Sequence, residues 1–219
     1  MKLLNKPKHY SLFITTVCLI SLIFNLLVFT DMYKLKYKVG KEAYNSALSI
    51  RTNNDNNNYI LKRVVENKSI SNDDLLKLYF NYSSMSDNIS NLWYEYCYHI
   101  EEESIIKFHK SRSIDIEAGL ISEVHGRIEE YIKGILDLEM KTDSYNIEID
   151  DSNLSKFQSM YNLSTSINEI FTNNIDKKLD GCKGEERVKR LINKYYWIDI
   201  LEELNKLSEE YSGIDFNIE

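Results

Sequence analysis

The amino-acid sequence predicts an all-α protein, with one transmembrane helix near the N-terminus followed by a helical bundle. Residues 10–30 form an apolar stretch without a charged side chain. Beyond this stretch the chain contains no proline and few glycines, the residues that interrupt helices most strongly. Apolar residues then recur every three or four positions over long segments, a spacing that places their side chains on one face of a helix.

The first predicted element is a transmembrane anchor from Tyr10 to Thr30. With a rise of about 1.5 Å per residue, a helix of this length crosses a hydrocarbon core of about 30 Å. The stretch is longer than the apolar core of a signal peptide, and the segment that begins at Asp31 offers no cleavage site of small residues. We therefore interpret it as an uncleaved signal anchor after a short basic tail, residues 1–9. The protein is expected in the cell membrane, with the lipid bilayer as its first partner.

The net charge of −7 is distributed unevenly along the chain. Basic residues predominate up to Arg51, and acidic residues predominate after it. Because an acidic domain repels phosphate backbones, the sequence predicts no nucleic-acid partner. Residues 31–52 are interpreted as a basic juxtamembrane helix that continues the anchor. The lysines closest to the anchor are expected among the lipid headgroups: Lys34, Lys36, Lys38 and Lys41.

The charge pattern leaves the orientation in the membrane open. Lysines flank the anchor on both sides, so neither side has the clear excess of positive charge that marks the cytoplasm. A short tail before the span favours translocation of the large C-terminal domain, which would then be extracytoplasmic. The reverse topology gives a cytoplasmic regulator tethered to the membrane.

Asparagine is abundant in the chain, as expected of a protein from a low-GC bacterium, and it dominates residues 53–58. Asn forms helices poorly and favours turns. We predict that this tract ends the juxtamembrane helix and forms a linker. The acidic helical domain is then expected to cover residues 59–219.

Caps and apolar stripes predict about four long amphipathic helices within this domain. Ser71–Asp74 resembles a capping box, and residues 150–153 resemble another N-terminal cap. Gly181 and Gly184 indicate a turn late in the chain. Long amphipathic helices with short connections favour an antiparallel bundle.

The apolar stripes define the predicted core. The first contains Leu75, Leu78, Tyr82, Met85, Ile89, Leu92, Tyr96 and Ile100. The second contains Ile121, Val124, Ile128, Tyr131, Ile135 and Leu138. The third contains Leu154, Phe157, Tyr161, Ile167, Phe171, Ile175 and Leu179. The last contains Val188, Leu191, Tyr195, Ile198, Leu201 and Leu204.

Two segments depart from the helical spacing. Residues 145–150 and residues 214–219 alternate apolar and polar side chains, as strands do. We expect that they could pair as a small two-stranded ribbon at one end of the bundle. Because an isolated ribbon is marginally stable in water, extended loops are the alternative.

Two histidines are candidates for a metal site. His99 lies at helical spacing from Glu95 and Glu103, and His125 lies at the same spacing from Glu129. Such spacing can place a nitrogen and a carboxylate on one helical face. The sequence lacks the established Glu-x-x-His and His-Glu-x-x-His patterns. A metal-dependent enzyme is therefore the alternative function, and no catalytic, metal or cofactor-binding residue is assigned.

The cysteines leave two possibilities open. Cys18 falls within the anchor, so Cys97 and Cys182 are the residues that could form a disulfide. The other interpretation is a buried free thiol at Cys97 and an exposed thiol at Cys182, in the predicted turn.

Aromatic residues cluster at two places, residues 93–99 and residues 195–197. The rings would lie on all sides of their helices, so one core-facing stripe cannot hold all of them. They are expected to form helix contacts, with an exposed surface for a protein ligand as the alternative.

The anchor has one small and polar side, formed by Ser11, Thr15, Cys18, Ser21 and Asn25. Hydroxyl groups in a helix can bond to their own backbone, which leaves Asn25 as the residue in need of a partner. The sequence therefore predicts contact with another transmembrane helix, or a homodimer, through Asn25.

These observations favour a single-pass membrane protein that acts by binding. We expect a sensor, scaffold or accessory subunit that meets an unidentified protein partner at the membrane surface. No motif in the sequence calls for a cofactor.

Overall fold

The computed structural model describes the backbone of residues 6–105, 120–139 and 145–216, and the side chains of residues 10–99, 123–138 and 145–216. These residues are mostly helical, as predicted, with one small antiparallel sheet. The chain divides into two compact units, Met1–Lys38 and Val39–Glu219. The elements in order are α1 (Lys6–Asn67), β1 (Ser69–Ser71), α2 (Asn72–Ile105), α3 (Leu120–Glu139), β2 (Asn146–Glu148), α4 (Asp151–Phe171), a π-helical turn (Thr172–Lys177), α5 (Gly184–Asn193) and α6 (Tyr196–Tyr211).

The described part of the first unit is the N-terminal segment of α1. This segment contains a stretch that is long and apolar enough to cross a membrane, and none of that stretch is buried. Its large side chains are exposed from Tyr10 to Phe29. A core helix of a soluble protein would bury most of such a stretch against its neighbours.

Residues 53–58 lie inside α1, so the prediction that they end the helix and form a linker is wrong. Asn54 and Asn57 are almost completely buried. The tract is part of the core because tertiary hydrogen bonds compensate for the low helix propensity of Asn.

The buried asparagines connect α1 to two other helices. The amide nitrogen of Asn54 donates to the carbonyl oxygen of Ser164 at 2.8 Å and to Oδ1 of Asn168 at 2.7 Å, both on α4. On the other side, Oδ1 of Asn57 accepts from Nδ2 of Asn81 on α2 at 2.8 Å. The tract therefore joins α2 and α4 through α1.

The part of α1 before the tract also belongs to the helical unit. Val39, Ala43, Ala47 and Ile50 are buried. The juxtamembrane segment 31–52 is thus helical, as predicted, but from Val39 onward its apolar face is packed against other helices.

The predicted caps of α2 and α4 are confirmed. Oγ of Ser71 accepts from the backbone N–H of Asp74 at 3.2 Å. Oδ1 of Asp150 accepts from the backbone N–H of Asn153 at 2.7 Å, which satisfies a donor that the first helical turn leaves free.

The predicted stripes form most of the core. The first stripe is buried from Leu75 to Tyr96, and the side chain of Ile100 lies outside the described part of the chain. In the second, Val124 to Ile135 are buried, but Leu138 is exposed, because it lies in the last turn of α3. The side chain of Ile121 lies outside the described part.

The last two stripes include backbone irregularities that the spacing did not predict. After Phe171 the chain forms the π-helical turn, yet Ile175 remains buried. The final predicted helix is two helices, α5 and α6, with Tyr195 between them in the left-handed region at φ 56°. The turn marked by Gly181 and Gly184 is confirmed, because both glycines have positive φ.

The ribbon has a different partner from the one predicted. β2 pairs with β1, antiparallel, with Ile147 opposite Ile70, so the expected pairing of 145–150 with 214–219 is wrong. The C-terminal segment instead contacts α3, where the buried ring of Phe216 lies 6.3 Å from that of Tyr131. Residues 217–219 lie outside the described part of the chain.

We predict that Asn54→Ala lowers the free energy of unfolding by about 1–3 kcal/mol, because it removes both hydrogen bonds that the buried Asn54 amide donates to α4. Chemical denaturation of the full chain in detergent measures the change. Asn56→Ala is the matched control, since Asn56 is exposed in the same tract and its replacement should cost less than about 0.5 kcal/mol. Equal, small effects of the two changes would contradict the buried position of Asn54.

We also predict opposite effects of alanine at two helical glycines. A Cβ at Gly40 would lie 2.5 Å from Cγ2 of Ile192 on α5, whereas a Cβ at Gly126 would meet nothing within 4 Å. Gly126→Ala should stabilise the protein by about 0.5–1 kcal/mol through helix propensity. Gly40→Ala should destabilise it by about 1–3 kcal/mol through overpacking.

The same denaturation measurement checks the glycine prediction. Combining Gly40→Ala with Ile192→Ala should cost less than the sum of the single changes, because the clash is removed. A stabilising effect of Gly40→Ala alone would contradict the close packing of α1 and α5.

Candidate functional site

The structure places His99 in an aromatic cluster. The ring of His99, which is buried on α2, lies 5.1 Å from the ring of Tyr195 and 5.8 Å from that of Trp197. The two aromatic segments of the sequence therefore meet in the fold at these residues. This part of both segments serves as a helix contact, the first of the two roles expected from the sequence.

His125 is also buried, on α3, where its ring lies 6.1 Å from that of Tyr82. Within the described ranges no group of three or more His, Cys, Asp and Glu side chains could hold a metal ion. Glu103 is one of the residues whose side chain lies outside those ranges. The enzyme alternative remains a prediction from spacing, without a ligand group in the described part of the chain.

The cysteines match neither sequence interpretation, because Cys97 and Cys182 form no disulfide and the more buried of the two is Cys182. Cys97 and Cys182 are free thiols, but Cys182 is the buried one and Cys97 is only half-buried. Cys182 belongs to the buried core, and Nη1 of Arg190 on α5 lies 3.3 Å from its sulfur. The predicted exposed thiol in the turn is therefore wrong.

A cluster of ion-paired side chains lies around the π-helical turn. We call this cluster the junction; it contains Arg51, Asp176, Lys178, Arg187 and Asp199. π-Helical turns within helices are uncommon and occur frequently at functional sites. The nearby left-handed Tyr195 is a second unusual backbone conformation.

Asp176 is the centre of the junction. Arg51 on α1 donates to both of its carboxylate oxygens, from Nη1 to Oδ1 at 2.9 Å and from Nη2 to Oδ2 at 2.8 Å. Arg187 on α5 donates from Nη2 to Oδ1 at 3.1 Å. A bidentate arginine contact of this kind is stronger and more directional than an ordinary surface ion pair.

These contacts determine the ionisation of Asp176. The hydrogen bonds from Arg51, followed by the charge of Arg51 and the hydrogen bond from Arg187, lower the pKa of the Asp176 carboxyl below its usual range. The carboxyl group therefore stays ionised at neutral pH and accepts hydrogen bonds. It is not available as a proton donor for acid catalysis.

Lys178 extends the junction to α6. Its ammonium group donates to Oδ1 of Asn174 at 2.6 Å and to Oδ2 of Asp199 at 2.9 Å. The same ammonium lies 5.0 Å from the centre of the Tyr196 ring. The junction thus connects α1, the π-helical turn, α5 and α6, an arrangement suited to holding helices together.

Several large side chains remain on the surface of the helical unit. On α2, Leu76 and Phe80 are exposed, and so are Tyr94 and Tyr98 further along the helix. Both pairs have the spacing of four residues that places side chains on one helical face. Part of the first aromatic segment is therefore exposed, as the surface alternative predicted.

Asn25 and Cys18 are exposed on the N-terminal segment of α1. The neighbouring threonines bond to their own helix: Oγ1 of Thr15 donates to the carbonyl oxygen of Ser11 at 2.9 Å, as the sequence predicted.

Comparisons with protein-family models, with curated proteins and with solved structures find no match to this chain.

We predict that Asp176→Asn lowers the free energy of unfolding by about 1 kcal/mol at pH 7, a value kept small because Asp176 is partly exposed. The native pKa is lowered, so the stabilisation is present above the pKa of the unfolded state and is lost as the pH falls. The difference between variant and parent should therefore shrink below about pH 4.

Denaturant titrations at a series of pH values measure this difference. Glu169→Gln on α4 is the control, since Glu169 is exposed and its replacement should change stability little at any pH. A difference that stays constant down to acid pH would show that Asp176 does not contribute through its charge.

Proposed function

We propose that the chain is a single-pass membrane protein whose apolar α1 segment anchors an antiparallel helical bundle at the membrane surface. There the bundle acts by binding other proteins, as a sensor, scaffold or accessory subunit. The observation that carries the proposal is the exposure of the whole apolar stretch of α1.

This exposure is costly in water. Full burial of one Leu or Phe side chain is worth about 1.5–3 kcal/mol, and the stretch exposes many such side chains. Soluble proteins rarely leave a continuous apolar surface of this extent uncovered. A lipid bilayer covers it on all sides, and the lysines that follow, beginning at Lys34, would lie among the headgroups.

A binding role for the bundle is supported by its surface and its charge. The exposed pairs Leu76 with Phe80 and Tyr94 with Tyr98 offer apolar contact area on α2. The acidic composition of the unit disfavours nucleic acid and anionic lipid as ligands. A protein partner is the class that fits both features.

We further propose that the bundle is extracytoplasmic. A protease added to intact cells should then digest a C-terminal tag, with lysed cells as the control for digestibility. Protection in intact cells together with digestion after lysis would assign the bundle to the cytoplasm and favour an intracellular regulator.

Membrane anchoring has its own test, extraction of the membrane fraction with alkaline carbonate. The parent chain should remain in the pellet. The double change Leu19→Arg with Ile23→Arg should release it, because each charge within the span costs about 2.5–3.5 kcal/mol. Leu19→Ala with Ile23→Ala is the control and should stay in the pellet; release of the parent chain would refute the anchor.

A further inference from the structure

We propose that two copies of this chain pair in parallel through the apolar segment of α1. In this pair the side-chain amide of Asn25 bonds to Asn25 of the second copy, and Cys18 faces Cys18 of the second copy. The inference rests on the membrane anchoring proposed above and adds the partner of the anchor.

Asn25 presents one acceptor oxygen and two N–H donors inside the apolar stretch. Its side chain is exposed, and among the described residues it has no hydrogen-bond partner. In hydrocarbon no water is available to satisfy these groups, so an unpaired amide there is strongly unfavourable.

The threonine hydroxyls of the segment, unlike the Asn25 amide, bond within their own helix. Thr15 and Thr16 donate to carbonyl oxygens one turn earlier, each at 2.9 Å, and Thr30 bonds in the same way to the carbonyl of Leu26. A hydroxyl is satisfied by this bond. An asparagine that bonds backward still has its Oδ1 acceptor to fill, and in this structure no side chain of the described apolar segment, Ser21 included, donates to Oδ1 of Asn25.

Asn174 shows how this chain completes such an amide. Its Nδ2 donates backward to the carbonyl oxygen of Ile170 at 3.0 Å, while its Oδ1 accepts from the ammonium of Lys178. This donor is the side chain of Lys178, which lies four residues after Asn174. Asn25 needs an equivalent donor from outside its own helix.

A second copy supplies that donor because an amide is complementary to itself. Copies of a single-pass protein enter the membrane in the same orientation, so their helices are parallel and equal residues meet across a two-fold axis. One Asn25 can then donate from Nδ2 to Oδ1 of the other. Buried asparagines in parallel coiled coils pair in this way and fix the register.

The spacing along the segment extends the same face. Cys18 precedes Asn25 by seven residues, and Ser11 precedes Cys18 by seven, the repeat of a two-stranded coiled coil. Small side chains at these positions let two helix backbones approach closely. With Asn25 opposite Asn25, the two copies of Cys18 face each other close enough to be joined by oxidation.

The test is oxidation of membranes that contain the full-length chain with copper phenanthroline. The proposal predicts a reducible covalent dimer of about twice the 25.8 kDa chain mass on non-reducing gels. Cys18→Ser should abolish it, which identifies the linking residue. In a Cys18→Ser background, Ile20→Cys should form far less dimer, because residue 20 lies on the opposite side of the helix.

Variants of Asn25 then test the hydrogen bond. Asn25→Leu should reduce the dimer by about threefold to tenfold, the range expected for one interhelical polar contact in a membrane. Asn25→Gln keeps the amide and should retain most of the dimer. Equal crosslinking by Ile20→Cys, an unchanged dimer in Asn25→Leu, or an adduct of another mass would each overturn the proposal.

Carbonate extraction of the same membranes separates the two proposals. If the chain stays in the pellet but Cys18 does not crosslink, the pairing is wrong and the anchor stands. If carbonate releases the chain, the anchor itself is wrong, and the pairing fails with it.

Discussion

The helical unit depends on the buried hydrogen bonds of the asparagines in α1. Asn54 bonds to α4 and Asn57 bonds to α2, so these two neighbours of α1 are held at defined positions along it. Apolar contacts alone would tolerate small shifts of one helix past another. A displaced asparagine would instead leave buried polar atoms unsatisfied, at a cost of about 1–3 kcal/mol for each group. The tract thereby fixes the register as well as adding stability.

The junction also restricts how α1 sits against its neighbours, at the position of Arg51. Arg51, only a turn before the asparagines, contacts Asp176, which lies 125 residues later in the chain. Through Arg187 and Lys178 the same cluster reaches α5 and α6. Its ion pairs are partly exposed, so each contributes modestly to stability. Their direction matters more, because a bidentate contact restricts how α1 can turn relative to the π-helical turn.

Sequence patterns predicted the features that depend on neighbours along the chain. The stripe from Leu75 to Tyr96 and the cap at Asp150 follow from local spacing and local hydrogen bonds. The Asn tract was misinterpreted because helix propensity is local, whereas the donors and acceptors that stabilise Asn54 come from α4. The partner of β2 and the contact of Arg51 with Asp176 are long-range pairings, and no short-range pattern distinguishes them from other equally plausible pairs.

Asparagine side chains need hydrogen-bond partners wherever they are removed from water, both in the helical unit and in the apolar segment. In the helical unit, Asn54 and Asn57 are removed from water, and their amides are satisfied by helices of the same chain. In the apolar segment, Asn25 would be removed from water by lipid, which offers neither donors nor acceptors. Among the described residues of this segment, none forms a hydrogen bond with the Asn25 amide. Under the pairing proposed above, the requirement that the fold meets internally at residues 54 and 57 would be met at residue 25 by a second copy of the chain.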